Sequence, residues 1–207
     1  MKPYEVTDAV SAVAEELVDR VRRAVSAPQA LSAVDAARLA GMQGRIHQLN
    51  RSPGGVPKLP VDEAELTESG LAGDRQKHTA FHGGPRRAVS LYSLELIEAL
   101  RAEGHPISPG STGENVTVAG LDWSLLIPGT RLALGGEAVV EITSFATPCG
   151  TIRGSFAAGK FKRISQKVNP GSSRLYARVI RGGRLAAGQA VRVLVENEIA
   201  SGESSAA

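Results

Sequence analysis

The residue best suited to chemistry is Cys149, the one cysteine of the chain, in the turn Thr147-Pro148-Cys149-Gly150. A turn with Pro and Gly on either side of the thiol is an exposed and rigid position. The stretch that follows is basic, and neighbouring Arg and Lys side chains favour the thiolate, which attacks electrophiles and binds soft metals. The alternative for a lone cysteine is a small buried core residue. The residues alone leave both interpretations open.

Two glycine-containing motifs provide further candidates. In Phe81-His82-Gly83-Gly84-Pro85 the amides of Gly83 and Gly84 could form an anion-binding nest, and His82 could donate a hydrogen bond or carry a proton. The alternative is a simple loop that enters a strand. In Thr112-Gly113-Glu114-Asn115, Asn115 could present its amide to a polar ring or a phosphate. Glu114 could act as a base or pair with an arginine.

Arginines supply the remaining candidate contacts. Arg51, Ser52 and Arg75 are donors of the kind that bind phosphate, although each arginine alone is also typical of a surface charge. Arg174 belongs to a basic block of ten Lys and Arg residues with no acidic residue between Glu141 and Glu196. Such a block attracts a phosphate-bearing ligand or partner, or else forms a solvated basic face.

Several classes of protein are excluded by composition and motif. The 207 residues include one cysteine and four histidines, without a CxxC pair, an HExxH helix or an EF-hand loop. No Walker sequence, GxSxG elbow or dinucleotide GxGxxG motif is present. The N-terminus lacks the apolar segment of a signal peptide, and no apolar run approaches the roughly 20 residues of a membrane span. These features predict a cytoplasmic protein that does not bind membranes.

Short β-like runs separated by Gly and Pro predict the elements that position these residues. The predicted strands are 45–49, 88–91, 115–118, 131–134, 138–143, 175–180 and 190–195. The pairs Gly135-Gly136 and Gly182-Gly183 suit hairpin turns, and Ser93 can cap a helix over 94–102. About seven strands in one domain favour a closed barrel. The expected fold is mainly β, a barrel with a few short helices.

The ends of the chain differ from this pattern. Apolar residues at spacings of three and four between Val10 and Val25, then a short helix over 31–40, predict an N-terminal helical extension of residues 1–42. The barrel domain is expected over 43–197, followed by a flexible tail over 198–207. The apolar face of the first helix could pair two subunits, so a homodimer is a further expectation.

In chain order these segments resemble the MOSC domain, named for the C-terminal domain of molybdenum cofactor sulfurase. The resemblance runs from about Gly44 to Val195 and rests on GGVPKLPVDEAELTESGLAGDR, FHGGPRRAVSLYS, STGENVTVAGLDWSLLIPGTRLALGGEAVVEIT, TPCG and GSSRLYARVIRGGRLAAGQAVRVL. It implies a β-barrel that binds the molybdenum cofactor, a pterin with a dithiolene and a phosphate. Some members reduce N-hydroxylated compounds, and others handle sulfur for the cofactor.

The resemblance also implies roles for individual residues. Cys149 falls on the position expected to bind molybdenum. The pterin or its phosphate is expected to contact Arg75 and Asn115, and the less securely aligned Arg51 and Ser52. Apart from the resemblance, the positive charge of Arg174 and its basic block favours electrostatic binding of the cofactor phosphate. The pocket is expected to include His82, Gly83 and Gly84, and His82 or Glu114 is a candidate proton carrier.

The sequence thus predicts a molybdenum cofactor-dependent oxidoreductase that acts on small N-hydroxylated substrates. Because no iron–sulfur or flavin segment is present, a separate protein would donate the electrons. One alternative is a sulfur carrier with a persulfide on Cys149, which needs an exposed, activated thiol but no metal. A more remote alternative is a basic β-barrel that binds RNA through Phe156, Phe161 and Tyr176, which are few for that task.

Overall fold

A computed structural model describes residues 33–75 and 84–194 of the protein. The elements are α1 (Ala33–Ala40), β1 (Gln43–Arg51), β2 (Leu59–Val61), β3 (Glu63–Thr67), β4 (Gly70–Leu71), β5 (Val89–Ser93), α2 (Leu94–Ala102), β6 (Val116–Ala119), β7 (Arg131–Leu134), β8 (Ala138–Phe145), β9 (Leu175–Arg181), β10 (Gly183–Ala186) and β11 (Ala190–Leu194). Short 3-10 helices occupy Pro85–Arg87, Trp123–Leu125, Gly150–Ser155, Ala157–Gly159 and Phe161–Ile164.

Seven strands close into a barrel in the order β11-β7-β8-β9-β5-β6-β1, because β1 also pairs with β11. All neighbours are antiparallel except β5 and β6. The nine residues of β1 pair with β11 first, then with β6, and finally with β2 at the edge. The predicted barrel is therefore confirmed, and each of its seven strands overlaps one of the seven predicted runs.

The barrel interior is filled by apolar side chains, which alternate with less buried ones along β7 and β11, whereas burial is continuous along β5 and β6. Ile46 and Leu49 of β1, Leu132 of β7 and Ile142 of β8 are completely buried. Helix α2 begins at the predicted position, where Ser93 Oγ accepts a hydrogen bond from the Leu96 amide at 3.3 Å. Because Ile97 and Leu100 of α2 are buried, this helix covers one side of the core.

The two predicted hairpins have different outcomes. Gly135 has φ 65° in the turn that joins β7 to β8, so the hairpin there is confirmed. The hairpin predicted at Gly182-Gly183 is wrong, because β10 pairs with β3 in a second sheet of order β10-β3-β4. A Cβ at Gly182 would lie 2.4 Å from the Leu66 carbonyl oxygen. The glycine therefore permits a close approach of backbones from distant parts of the chain.

Helix α1 is the part of the predicted N-terminal extension that the structure describes. Its Leu39 is buried, and Arg38 forms an ion pair with Asp122 at 3.0 Å. The predicted helix between Val10 and Val25 and the predicted tail over 198–207 lie outside the described residues. Among the described helices, none combines the length and the apolar character that crossing a bilayer requires.

Glu141 joins three neighbouring barrel strands. Its carboxylate accepts hydrogen bonds from Arg131 at 3.1 Å and from two nitrogens of Arg178 at 3.0 Å. The hydrogen bonds from Arg178, supported by Arg131 and opposed by partial burial, lower the pKa of Glu141 below its ordinary value of 4.5. A carboxyl with a lowered pKa in the folded state stabilises the fold above its ordinary pKa, and this stabilisation is lost as the pH falls through the folded pKa.

Replacing Glu141 with glutamine should therefore lower the free energy of unfolding by about 1 kcal/mol at neutral pH, since the arginines are partly exposed. The difference from the wild-type protein should shrink at acidic pH, where the wild-type carboxyl is also protonated. Urea unfolding across this pH range measures both effects. The control is Glu98→Gln, at an exposed position on α2, where we expect no difference. An equal loss at acidic and neutral pH would contradict this account.

Candidate functional site

One end of the barrel contains a pocket of about 320 Å³. Its walls come from the β1–β2 loop, the turn after β4, the start of β5, the loop before β6, the turn after β8 and the start of β9. Cys149, Arg75, Asn115 and Arg174 all line it. The structure thus brings together four of the predicted site residues from distant parts of the sequence.

Cys149 is held by a short segment that is anchored in the core. The residue is partly exposed, and its Sγ lies 3.2 Å from Thr151 Oγ1. The next turn is a 3-10 helix whose Ile152 is 2% exposed and packs into the core cluster. Ser155 Oγ donates a hydrogen bond to the Ser111 carbonyl at 2.8 Å. The thiol is therefore presented to the pocket from a fixed backbone and has room for an additional bond.

Arg174 is the most unusual side chain in the pocket. The residue is only 7% exposed. Its carbonyl oxygen accepts hydrogen bonds from the Ala146 amide and Ser173 Oγ, but its guanidinium makes no hydrogen bond or ion pair with any residue that the structure describes. A buried cation without a partner is costly, and a bound anion would remove that cost. The same pocket thus contains a thiol and a cationic donor that no described residue satisfies.

The backbone beside Arg174 is fixed by two aromatic side chains. Tyr92 donates a hydrogen bond to the Ser172 carbonyl at 3.2 Å, and the indole of Trp123 donates to the Ser173 carbonyl at 2.7 Å. The two rings pack edge to face with centroids 6.3 Å apart. Burial raises the pKa of Tyr92, so its hydroxyl remains a neutral donor at physiological pH. The backbone that carries Arg174 is therefore held in place before any ligand arrives.

Lys58 and Asp74 form a buried ion pair at the edge of the same pocket. Their side chains are 7% and 6% exposed. Asp74 also accepts hydrogen bonds from the Ser52 amide at 2.8 Å and from Asn115 Nδ2 at 2.9 Å. Burial lowers the pKa of Lys58, an effect that the Asp74 charge opposes and the Arg174 charge reinforces. Lys58 lies in an apolar segment between two prolines, and the sequence analysis did not identify it.

The substitution Asp74→Asn should lower the free energy of unfolding by about 2 kcal/mol or more, because it leaves the buried Lys58 ammonium without a counter-charge. Urea unfolding at neutral pH measures the loss. The control is Asp122→Asn, whose partner Arg38 has a 60% exposed side chain. It should change stability by less than about 0.5 kcal/mol. Equal effects of the two substitutions would contradict the proposed importance of the buried pair.

Asn115 borders the pocket, but its amide is already engaged within the protein. Its Oδ1 accepts hydrogen bonds from the Ser90 amide and hydroxyl, both at 3.1 Å, and its Nδ2 donates to Asp74 and to the Asn50 carbonyl. Asn115 therefore organises the pocket wall. Its predicted direct contact with a ligand remains a prediction.

Several other predicted site residues lie outside the pocket lining. Glu114 is completely buried and accepts hydrogen bonds from the Gly110 amide at 2.6 Å and the Thr112 hydroxyl at 2.8 Å. It therefore supports the loop before β6, and its role as a proton carrier remains a prediction. Ser52 accepts a hydrogen bond from the Arg75 amide through its carbonyl at 2.8 Å. It connects two loops behind the pocket.

The remaining predicted residues are exposed or outside the described regions. Arg51 is exposed and reaches the Ala72 carbonyl at 3.5 Å. Gly84 is exposed, with φ 93°, at the start of the 3-10 helix before β5. His82 and Gly83 belong to residues 76–83, which the structure does not describe.

The charge of the pocket lining is strongly positive. Four basic residues line it, Lys58, Arg75, Arg87 and Arg174, and the carboxylate of the neighbouring Asp74 is already paired with Lys58. The guanidinium of Arg87 lies 5.5 Å from the centre of the Tyr176 ring. Within the described part of the chain, no three His, Cys, Asp or Glu side chains cluster as metal ligands would. The arrangement suits an anionic ligand that also reaches a thiol.

Comparisons with known proteins agree with this architecture. The family model of the MOSC domain matches residues 78–192. The uncharacterized protein YflK of Bacillus subtilis is 31% identical over 146 residues, which cover 70% of this chain and 65% of the relative. Protein YiiM of Escherichia coli is 29% identical over 140 residues, which cover 65% of this chain and 61% of YiiM. The chain thus matches less than two thirds of either relative's length.

The crystal structure of YiiM from Escherichia coli superposes with a TM-score of 0.57 and 25% sequence identity, over 75% of this chain and 71% of that chain. The barrel fold and the family match lead to the same class of protein. The chain belongs to the MOSC domain family.

Proposed function

We propose that this protein binds the molybdenum cofactor and uses it to reduce N-hydroxylated compounds. The observation that best supports the proposal is the buried guanidinium of Arg174, which has no partner among the described residues and lies in the same pocket as the Cys149 thiol. The cofactor combines an anionic phosphate with a soft metal. A guanidinium and a thiolate are the protein groups that bind these two parts.

The residues of the pocket fit this cofactor. Arg174 and Arg75 would bind the phosphate through charge-assisted hydrogen bonds. Cys149 would provide the protein's sulfur ligand to molybdenum, and the anchored 3-10 helix would hold that sulfur in one position. Lys58, fixed by Asp74, would add positive charge at the pocket edge. When bound, the cofactor supplies the two-electron chemistry that removes oxygen from the substrate nitrogen.

The overall reaction would convert R–NH–OH, two electrons and two protons into R–NH₂ and water. The N–O bond breaks, the nitrogen is reduced and the oxygen leaves as water. A separate redox protein would supply the electrons, since the sequence has no iron–sulfur or flavin segment. His82 and Glu114 are the candidates for delivering a proton.

The test is an assay of the cofactor-loaded protein with benzamidoxime as substrate and a dithionite-reduced dye as the electron source. We expect benzamidine to form with many turnovers per protein molecule. Protein that contains molybdenum and pterin but forms no benzamidine would overturn the reductase proposal. Metal-free protein with a cyanide-releasable sulfur on Cys149 would instead support a sulfur carrier.

A further inference from the structure

The segment that follows Cys149 presents a row of positive charges to solvent. Residues 150–167 contain five basic and no acidic residues. We name the four exposed ones the basic ridge: Arg153, Lys160, Lys162 and Lys167. The fifth, Arg163, forms an ion pair with Glu103 at 2.6 Å. The three ridge lysines form no ion pair with any residue in the described ranges.

Three exposed arginines elsewhere in the described part of the chain are paired with carboxylates. Arg38 pairs with Asp122, Arg178 with Glu141, and Arg184 with Glu63. Within the described residues, by contrast, no carboxylate pairs with a ridge lysine, so the ridge carries a net positive charge. Unneutralised charge of one sign attracts a partner of the opposite sign and accelerates the encounter.

The ridge has a fixed shape and borders the pocket. Phe156 and Ile164 are 3% and 1% exposed, and they anchor its backbone in the core. The guanidinium of Arg153 lies 5.8 Å from the centre of the Phe161 ring. Thr151 and Ile152, directly before the ridge, line the pocket that contains Cys149. A partner that docks on the ridge would therefore lie beside the pocket.

We propose that the basic ridge is the docking surface for the acidic face of the protein that delivers electrons to this pocket. The inference rests on the proposed reductase function, because only that function needs such a donor. Two electrons are consumed per substrate, and a docked donor beside the pocket shortens the path they travel. The charge of the ridge specifies an acidic partner surface, and the carboxylate of Glu103, which lies against the same segment, is already paired with Arg163.

The aromatic residues near the ridge argue against RNA as the occupant. Single-stranded nucleic acids bind by stacking bases on accessible aromatic rings as well as by charge. Phe156 is buried, Phe161 lies beside the Arg153 guanidinium, and Tyr176 lies beside that of Arg87. The ridge thus provides charge without open stacking platforms.

The test measures binding of a fluorescently labelled plant-type [2Fe–2S] ferredoxin, a small acidic electron carrier, to the full chain. The variant Lys160→Gln/Lys162→Gln is compared with Arg181→Gln/Arg184→Gln, which removes the same charge from β9 and β10. At about 20 mM salt, the ridge variant should bind about tenfold more weakly and the control variant within about twofold of wild type. Binding of the wild-type protein should weaken steeply with added salt.

Equal binding by both variants, or no binding by the wild-type protein at low salt, would overturn the proposed surface. A labelled uridine oligonucleotide that binds more tightly than ferredoxin and loses more affinity in the ridge variant would overturn it in favour of RNA.

The failure of this inference is distinguishable from failure of the proposed function, because ferredoxin binding requires no bound cofactor. With a small dye as reductant, the ridge variant should form benzamidine at the wild-type rate. With ferredoxin as reductant, its KM for ferredoxin should rise about tenfold while kcat changes little. A loss of dye-driven activity would show that the lysines act in some other way.

Discussion

Cys149→Ala should abolish reduction of N-hydroxylated substrates, with a loss of at least about a thousandfold in kcat/KM. Among the residues that line the pocket, Cys149 is the one whose side chain could ligate a soft metal, and the other walls provide hydrogen-bond donors and positive charge. Because Cys149 is partly exposed and its Sγ contacts the Thr151 hydroxyl, the free energy of unfolding should change by less than about 0.5 kcal/mol. Turnover of benzamidoxime and urea unfolding measure the two effects separately.

Two further variants establish whether the sulfur itself is required. Cys149→Ser preserves the size of the side chain but replaces the soft ligand with a hard one, and it should be as inactive as Cys149→Ala. Thr151→Val removes the hydroxyl beside the thiol but leaves the sulfur, and it should retain measurable turnover. Activity of Cys149→Ala within tenfold of the wild-type protein would exclude an essential role for the thiol.

The second large effect is expected from Arg174→Met. This substitution should raise the stability of the ligand-free protein and weaken its binding of an oxyanion. Methionine fills a similar volume without the buried charge, so the ligand-free protein should become more stable by about 1 kcal/mol. The same substitution should weaken binding of an oxyanion by about thirtyfold or more, because a buried charge-assisted contact is lost. Stabilisation together with lost binding is the pattern expected for a residue kept for function.

The measurement uses protein from a host that does not make the cofactor, with inorganic pyrophosphate as the oxyanion probe. Thermal unfolding with and without pyrophosphate reports stability and binding in one experiment. Arg178→Gln is the control, since Arg178 lies on β9, which begins directly after Arg174, but pairs with Glu141. It should reduce stability slightly and leave pyrophosphate binding unchanged. Destabilisation of the ligand-free protein by Arg174→Met would show that its guanidinium has a partner within the fold.

The barrel was predictable from sequence because its strands have local patterns. The runs 131–134 and 138–143 are β-rich, flank Gly135-Gly136, and form β7 and β8 in the structure. The second sheet gave a weaker local signal. Strand β4 has two residues. The five residues of β3, EAELT, do alternate between exposed and buried positions, but Glu, Ala and Leu are typical of helices. The partner of β3, β10, is distant in sequence, and a local pattern does not specify such a pairing.

The site residues that could be predicted were those whose type or local charge pattern stands out in the sequence. The lone cysteine in a Pro-Gly turn and the basic block were visible, and Cys149 and Arg174 line one pocket. The Lys58–Asp74 pair was not identified, because its members are 16 residues apart and each resembles a surface charge. The internal role of Glu114 depends on the fold of its own loop. The sequence identified most of the polar residues, but it could not distinguish those that line the pocket from those that hold its walls in place.

The central claim is that this pocket binds the molybdenum cofactor through Cys149 and Arg174. The most direct measurement is the molybdenum and pterin content of protein purified without oxygen from a cofactor-producing host, for the wild type, Cys149→Ala and Arg174→Met. We predict nearly one molybdenum and one pterin per wild-type chain. Cys149→Ala should lose the metal or bind it loosely, and Arg174→Met should contain less pterin than the wild type. Wild-type protein free of both, from a host that loads another molybdenum enzyme, would contradict the claim.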